Sequence, residues 1–329
     1  MRRRDFFGGA AGVAIALGTA GRVGAQRASE MHRIGVLASS PPLPGYTFPT
    51  IFRQALAELG WVEGANIVLD WRGTGGKPEA FSERAAELVA GKPEVIVATT
   101  PAAVIAVHQA TASIPIVMVN TSDPVELSIV ESLSRPGGNV TGTSSVSADI
   151  SLKQLDLLTE MLPGVKRVAV LATTSSPWHP IALSGLEAGA RNLGLGLVVM
   201  KVSAGEELAG AVTRIAADAV EAVIVLADPI TFVHRGELVA LLARQRIPAV
   251  YSLREYAEAG GLMSYWADSA ALYRRTAFYV DRILRGTQPA ELPIEQPTRF
   301  ELIINLRTAR SLGLTVPPNM LARADEIIE

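Results

Sequence analysis

The chain has no cysteine among its 329 residues. That excludes disulfides, thiolate metal sites, a cysteine nucleophile and a lipidated cysteine anchor. Histidine is scarce too: His32, His108, His179 and His234 are scattered, and none has the H-E-x-x-H spacing of a zinc site. Aromatic residues make up 5% and charged residues 19%, against 49% hydrophobic. The core must therefore be Ala, Val, Leu and Ile, which suits an α/β protein with buried parallel strands. There is no G-x-S-x-G nucleophile elbow, and no strand runs into G-x-G-x-x-G. Gly73-Thr74-Gly75-Gly76-Lys77 falls short of a phosphate loop, because only two residues separate Gly73 from Gly76-Lys77 where four are needed, and Pro78 follows. The expectation is a protein that is not an enzyme and holds neither cofactor nor metal.

What is present begins with Arg3-Arg4-Asp5-Phe6-Phe7, followed by a small-residue apolar stretch from Ala10 to Ala20 and then Val23-Gly24-Ala25. The stretch is short of the roughly 20 apolar residues that span a bilayer. It suits the core of a cleavable export signal of twin-arginine type, cut after Ala25. After residue 25, no segment has an unbroken apolar run long enough to cross a membrane, so the expected product is free in the periplasm. The leader's four arginines and one aspartate carry +3; the whole chain is −2, leaving −5 on the remainder. That mild acidity argues against a nucleic-acid surface.

The 304 residues after position 25 suggest two domains of roughly 150 residues each. Short apolar runs mark strands, and each ends in a polar turn. Ile34–Ala38 runs into Ser39-Ser40-Pro41, Val95–Ala98 into Thr99-Thr100-Pro101, and Ile116–Val119 into Asn120-Thr121-Ser122-Asp123-Pro124. The pattern then recurs: Val168–Ala172 runs into Thr173-Thr174-Ser175-Ser176-Pro177, Val223–Ala227 into Asp228-Pro229, and Ala249-Val250 into Tyr251-Ser252. Helical stripes lie between them, at Thr50–Leu59, Glu79–Ala90, Leu152–Leu162 and Leu183–Leu193. The predicted fold is α/β, with two doubly wound parallel-sheet lobes of similar topology.

Ligands of such sheets bind beyond the carboxyl ends of the strands. Ser, Thr, Asn and Asp before Pro also cap helices, and capping alone accounts for any single turn. It accounts less well for the recurrence in both halves. Helix N-termini hold carboxylates, and an acidic residue on a facing turn can hold an ammonium. Candidate ligand-binding residues are therefore Ser39, Ser40, Thr99, Thr100, Asn120, Asp123, Thr174, Ser175, Asp228, Tyr251 and Glu255. A ligand carboxylate is expected near Ser39, Ser40, Thr99 and Thr100, and its ammonium near Asp228, with Asp123 and Glu255 as alternatives. Tyr46, Trp178, Phe232 and Tyr251 could flank an apolar group.

Arg33-Ile34-Gly35-Val36-Leu37, Leu59-Gly60-Trp61-Val62-Glu63-Gly64 and Asp123-Pro124-Val125 are motifs of a known family. So, more specifically, are the stretch 134–142 (Ser-Arg-Pro-Gly-Gly-Asn-Val-Thr-Gly), the stretch 258–265 (Glu-Ala-Gly-Gly-Leu-Met-Ser-Tyr) and Pro293-Ile294-Glu295-Gln296-Pro297-Thr298. By these the chain resembles the exported substrate-binding proteins of ABC transporters, in the branch with tryptophan- and phenylalanine-binding members. Trp266 departs from the pattern, since many relatives carry a smaller residue after Met-Ser-Tyr. The resemblance implies a type I periplasmic-binding fold whose lobes, joined by three hinge strands, close on a small amphiphile, an aromatic amino acid being the first candidate. The expected division is 26–141 with 253–287 as the first lobe and 142–252 with 288–329 as the second. The implied partners are the small ligand and a membrane permease, with the carrier itself a monomer. A periplasmic receptor for a signalling partner, or an enzyme on the same architecture, is the alternative.

If the twin-arginine reading holds, replacing Arg3 and Arg4 together by Lys leaves uncleaved precursor inside the cell, as immunoblotting of cell fractions would reveal. Undiminished mature protein outside the inner membrane would reject that route while leaving export itself open.

Overall fold

The computed structural model describes residues 31–42, 46–145 and 147–329; the expected export signal, 1–25, lies outside the described residues. Strands β1 (His32–Ala38), β2 (Ile67–Gly73), β3 (Val95–Ala98), β4 (Ile116–Ser122) and β5 (Val140–Ser145) form a parallel sheet in the order β2-β1-β3-β4-β5. Every residue of β3 and β5 is buried, as expected of strands covered on both faces. Helices α1 (Thr47–Glu58), α2 (Phe81–Ala90) and α3 (Pro101–Ala110) flank this sheet. The stripe of α1 buries Phe48, Phe52, Ala55 and Leu56 against Ile34 and Val36. Each large apolar side chain so buried contributes about 1.5–3 kcal/mol.

The second sheet repeats this topology and extends it. Strands β6 (Arg167–Thr173), β7 (Gly196–Val202), β8 (Ala222–Val225), β9 (Ala249–Tyr251), β10 (Met263–Ala267), β11 (Phe300–Asn305) and β12 (Glu326–Ile328) lie in the order β7-β6-β8-β9-β10-β11-β12. Its first five strands reproduce the order of the first sheet, and only β11 runs antiparallel to its neighbour β10. Helices α4 (Ser147–Met161), α5 (His179–Asn192), α6 (Leu208–Ala217), α7 (Pro229–Val233), α8 (Arg235–Arg244) and α9 (Arg254–Glu258) are interspersed with its strands.

The chain passes between the sheets later than the sequence suggests. β5 stays in the first sheet to Ser145, so the first crossing follows 145 rather than 141. Residues 263–267, expected in the first lobe, pair with β9 and β11 in the second sheet. Only then does α10 (Ser269–Leu284) return, laying Tyr273, Ala277 and Val280 into the core of the first lobe. There the Trp61 Nε1–H donates to the Asp281 carboxylate at 2.9 Å. Residues 292–295, expected in the second lobe, remain beside β5: Thr141 Oγ1 donates to the Leu292 carbonyl at 2.7 Å, and Ser144 N donates to the Glu295 carbonyl at 2.8 Å. The third crossing precedes β11. The physical reason is that β9, only three residues long, is followed by a short helix that feeds a further parallel strand, so its end is not a hinge.

Gly142 makes the first crossing strand possible. Its φ is +128°, and a Cβ there would lie 2.2 Å from the Met118 carbonyl oxygen. Gly142→Ala should lower unfolding free energy by about 3 kcal/mol or more. Gly64→Ala, with φ +82° but nothing within 4 Å, should lose only about 1–2 kcal/mol. Urea denaturation of both variants checks this; equal losses would mean that the Met118 backbone yields.

Candidate functional site

The carboxyl ends of both sheets face a cavity, and the free space open to the centre of a water-sized sphere is about 120 Å³. One water needs roughly 10–15 Å³ on that measure, so a small organic molecule fits. The first lobe contributes Ser39 after β1, Thr99 and Thr100 after β3, and Asn120 and Ser122 at the end of β4. The second lobe contributes Ser175 and Ser176 after β6, and Asp228 after β8. Aromatic walls stand between them: Tyr46, Phe48, Phe81 and Tyr273 from the first lobe, Trp178, Phe232 and Trp266 from the second. Among the described lining residues, Asp228 is the only charged one.

Asp228 precedes Pro229 and caps α7, and its side chain does two jobs in doing so. Oδ1 accepts from the Ile230 N–H at 2.8 Å, and Oδ2 accepts from the Thr173 hydroxyl at 2.7 Å. The carboxyl is buried, and burial pushes its pKa up to about 6, although both hydrogen bonds pull it down. Beneath it lies His179, at the start of α5 and 1% exposed. The Thr173 N–H donates to Nδ1 at 2.9 Å, so Nδ1 is bare and Nε2–H donates to the Ala227 carbonyl at 3.2 Å. Burial lowers the pKa of this imidazole to about 4, so it is neutral at physiological pH. Nothing in the sequence singled out His179, because its partners are backbone groups on two other segments.

Of the residues expected to bind ligand, Ser39, Thr99, Thr100, Asn120, Ser175 and Asp228 line the cavity. Thr100 also caps α3, accepting from the Ala103 N–H at 3.1 Å. Ser40, Asp123, Thr174, Tyr251 and Glu255 are not among the lining residues. The Ser40 hydroxyl donates to the Pro41 carbonyl, and Thr174 pairs with Ser203 at 3.0 Å. Tyr251 belongs to the second-lobe core, stacked on Tyr256 with ring centroids 5.0 Å apart. Strand alternation turns it onto the face opposite Val250.

Glu255 joins the lobes instead. The Thr47 hydroxyl, at the start of α1, donates to its Oε1 at 2.8 Å, while Oε2 is buried with no hydrogen-bond partner among the described residues. Burial raises its pKa, the Thr47 bond opposing in part. Close by, Tyr46 meets Phe232 edge-on across the cleft with centroids 5.4 Å apart. These contacts describe lobes in the closed arrangement. Sequence reasoning did not place Phe48, Phe81 or Tyr273 at the site; on α1, α2 and α10 they are buried, and they line the cavity as well.

The buried Asp228 and His179 give opposite pH dependences to stability. His179, with its pKa depressed, stabilises the fold fully above pH 6.5, and that contribution fades as pH falls toward 4. Asp228, with its pKa raised, weighs against the fold above about pH 6 and is relieved as pH falls toward 3.8. Each swing is on the order of 3 kcal/mol. Asp228→Asn removes the compensating slope, so the melting temperature of the ligand-free variant should fall more steeply than wild type between pH 6 and 4. Parallel curves would show that the two groups do not titrate as the geometry dictates.

Residues 49–328 match the family model of ABC transporter substrate binding proteins. A tyrosine-binding protein of Clostridioides difficile (strain R20291) is 28% identical over 265 residues, covering 80% of this chain and 75% of that protein. A crystal structure of an ABC domain in complex with L-Trp, from Streptococcus pneumonia, is 26% identical with a TM-score of 0.83, covering 91% of this chain and all of that one. A conserved domain protein from Vibrio cholerae is 26% identical with a TM-score of 0.84, covering 90% of this chain and 99% of that one. A match over so much of the chain, with a cavity held between two lobes of parallel sheet, places this protein in the family of ABC transporter substrate-binding proteins.

Proposed function

We propose that this protein carries an amino acid with an aromatic or similar apolar side chain to a membrane permease, and that Asp228 holds the ligand's ammonium group. The observation that carries the reading is the lone carboxylate of the lining. It is buried, two hydrogen bonds support it, and the described lining residues include no cation to balance it. An ammonium supplies the missing charge. A ligand carboxylate suits the N-terminus of α3, where Thr99, Thr100 and Ala102 line the cavity and the helix end is favourable to an anion. The aromatic walls suit the rest of the molecule. The tyrosine-binding relative and the neighbour with bound L-Trp favour the same ligand class.

Substrate-binding proteins of ABC transporters generally work in the periplasm or outside the cell, and the relatives found are solute-binding proteins rather than enzymes. In our reading this chain is likewise a carrier without catalytic activity. It leaves the cytoplasm by the twin-arginine route, acts as a monomer and binds no nucleic acid. Its lobes rock about the three crossings, and a ligand touching both favours closure by its differential affinity.

Mass spectrometry of small molecules released from purified protein should identify an amino acid, and calorimetry with that compound should return a defined Kd. Asp228→Asn keeps the shape of the cap and removes the charge. Leaving a buried ammonium unpaired costs about 3–5 kcal/mol, a loss of roughly two to three powers of ten in affinity. Wild-type affinity should also decline as pH drops below about 6, where Asp228 becomes protonated, and the variant should lack that decline. Undiminished binding by Asp228→Asn would reduce the residue to a helix cap.

A further inference from the structure

We propose that Gly76 is a positioning residue for ligand binding: its missing side chain lets α7, which Asp228 caps, seat against the first lobe when the cleft shuts on an amino acid. The inference rests on the reading that Asp228 holds the ligand's ammonium, and it names what lets that carboxylate come close enough. Gly75 and Gly76 follow β2 in the first lobe, and both are left-handed, with φ +63° and +80°. Their surroundings differ. Gly75 is exposed, and a Cβ there would meet nothing within 4 Å. Gly76 is buried, and its Cβ would stand 3.3 Å from the Val233 Cβ and 3.4 Å from the Pro229 carbonyl oxygen. Pro229 and Val233 begin and end α7 in the second lobe, so this contact crosses the cleft. Carbon atoms pack best at roughly 3.5–4.0 Å. A methyl group is therefore tight here, and a longer side chain has no place.

Both sides of the contact are tied down. In the first lobe the Gly76 N–H donates to the Ser39 carbonyl at 3.0 Å, and the Thr74 N–H donates to the Ala38 carbonyl at 3.2 Å. The loop is thus fastened to the end of β1, where Ser39 lines the cavity. In the second lobe Asp228 fixes the start of α7 through the Ile230 N–H. Phe232, within α7, meets Tyr46 of the first lobe. Lobes joined by three crossings rock more readily than a hydrogen-bonded loop or a capped helix deforms. A side chain at position 76 therefore relieves its clash by holding the cleft ajar. A ligand that must touch Asp228 and the start of α3 together then loses one of them.

Calorimetric titration of wild type, Gly75→Leu and Gly76→Leu with L-Phe, L-Tyr and L-Trp tests the proposal. Both variants place a leucine at a left-handed position, so backbone strain is common to them; only Gly76→Leu meets α7. For whichever amino acid binds wild type most tightly, Gly76→Leu should lose about tenfold or more in affinity, the scale of an overpacked contact. Gly75→Leu should stay close to wild type. Small-angle scattering at saturation with that amino acid should give Gly76→Leu a larger radius of gyration than wild type or Gly75→Leu. A loop with a purely structural role would produce no such difference. Thermal melting without ligand verifies that Gly76→Leu is folded; if it is not, Gly76→Ala and Gly75→Ala take over, with a smaller loss in the same direction. Equal affinities in the two variants, or a Gly76→Leu as compact as wild type at saturation, overturn the role of Gly76 and leave the cargo class standing. Wild type that binds none of the three overturns the aromatic cargo, and this proposal with it.

Discussion

The chain passes three times from one sheet to the other, and that constraint organises everything else. Each passage adjoins a strand: the first follows β5, the second follows β10 and the third leads into β11. The carboxyl ends of the parallel strands in each lobe are thereby turned toward the other lobe. Loops that would be solvent-facing helix caps in a single-lobed protein become the two faces of one cavity. The residues that cap α3 at Thr100 and α7 at Asp228 are the same ones that furnish the cavity with a hydroxyl and a carboxylate. Helix capping and the cavity lining draw on one set of residues.

Asp228 and His179 show how the second lobe keeps its face rigid. Thr173 touches both: its hydroxyl donates to Asp228 and its backbone N–H to His179. His179 in turn donates to the Ala227 carbonyl, next to Asp228 in the chain. The ends of β6 and β8 are tied by a set of polar contacts, buried except for the half-buried Ala227 carbonyl. Low dielectric strengthens such contacts, and it also makes an unbalanced charge costly. The network accordingly holds its imidazole neutral and leaves its carboxylate in want of a cation.

Much of this was legible in the sequence, and the reasons are particular. The strands at 34–38, 95–98, 116–119 and 168–172 stand out because parallel strands covered on both faces are continuous apolar runs bounded by turn residues. The duplicated topology followed from their repetition. The division into lobes was less legible. Whether 263–267 joins the first or second sheet depends on pairing with Val250 and with Leu302–Ile304, which local pattern does not encode. At the site, Asp228, Thr99, Thr100, Ser39, Asn120 and Ser175 were read from polar residues at strand ends. Tyr251 was misjudged because one residue of register decides whether a side chain at a strand end faces core or cavity. Phe48, Phe81 and Tyr273 were overlooked because a helix face can bury a ring and still present its edge to a cleft.

Glu255 has a meaning for how faithfully closure reports cargo. In the closed arrangement its carboxyl is buried against Thr47, with one oxygen lacking any partner among the described residues. Asp228 is also buried, and the described residues that line the cavity include no cation. On the proposed reading, an empty carrier that closes buries both acidic groups with only hydrogen bonds to hold them, whereas a carrier closing on an ammonium also balances the charge of one of them. On that reading the two acids act as a noise filter: they oppose spontaneous closure of the unloaded molecule, so that a partner reading lobe geometry would meet few false positives.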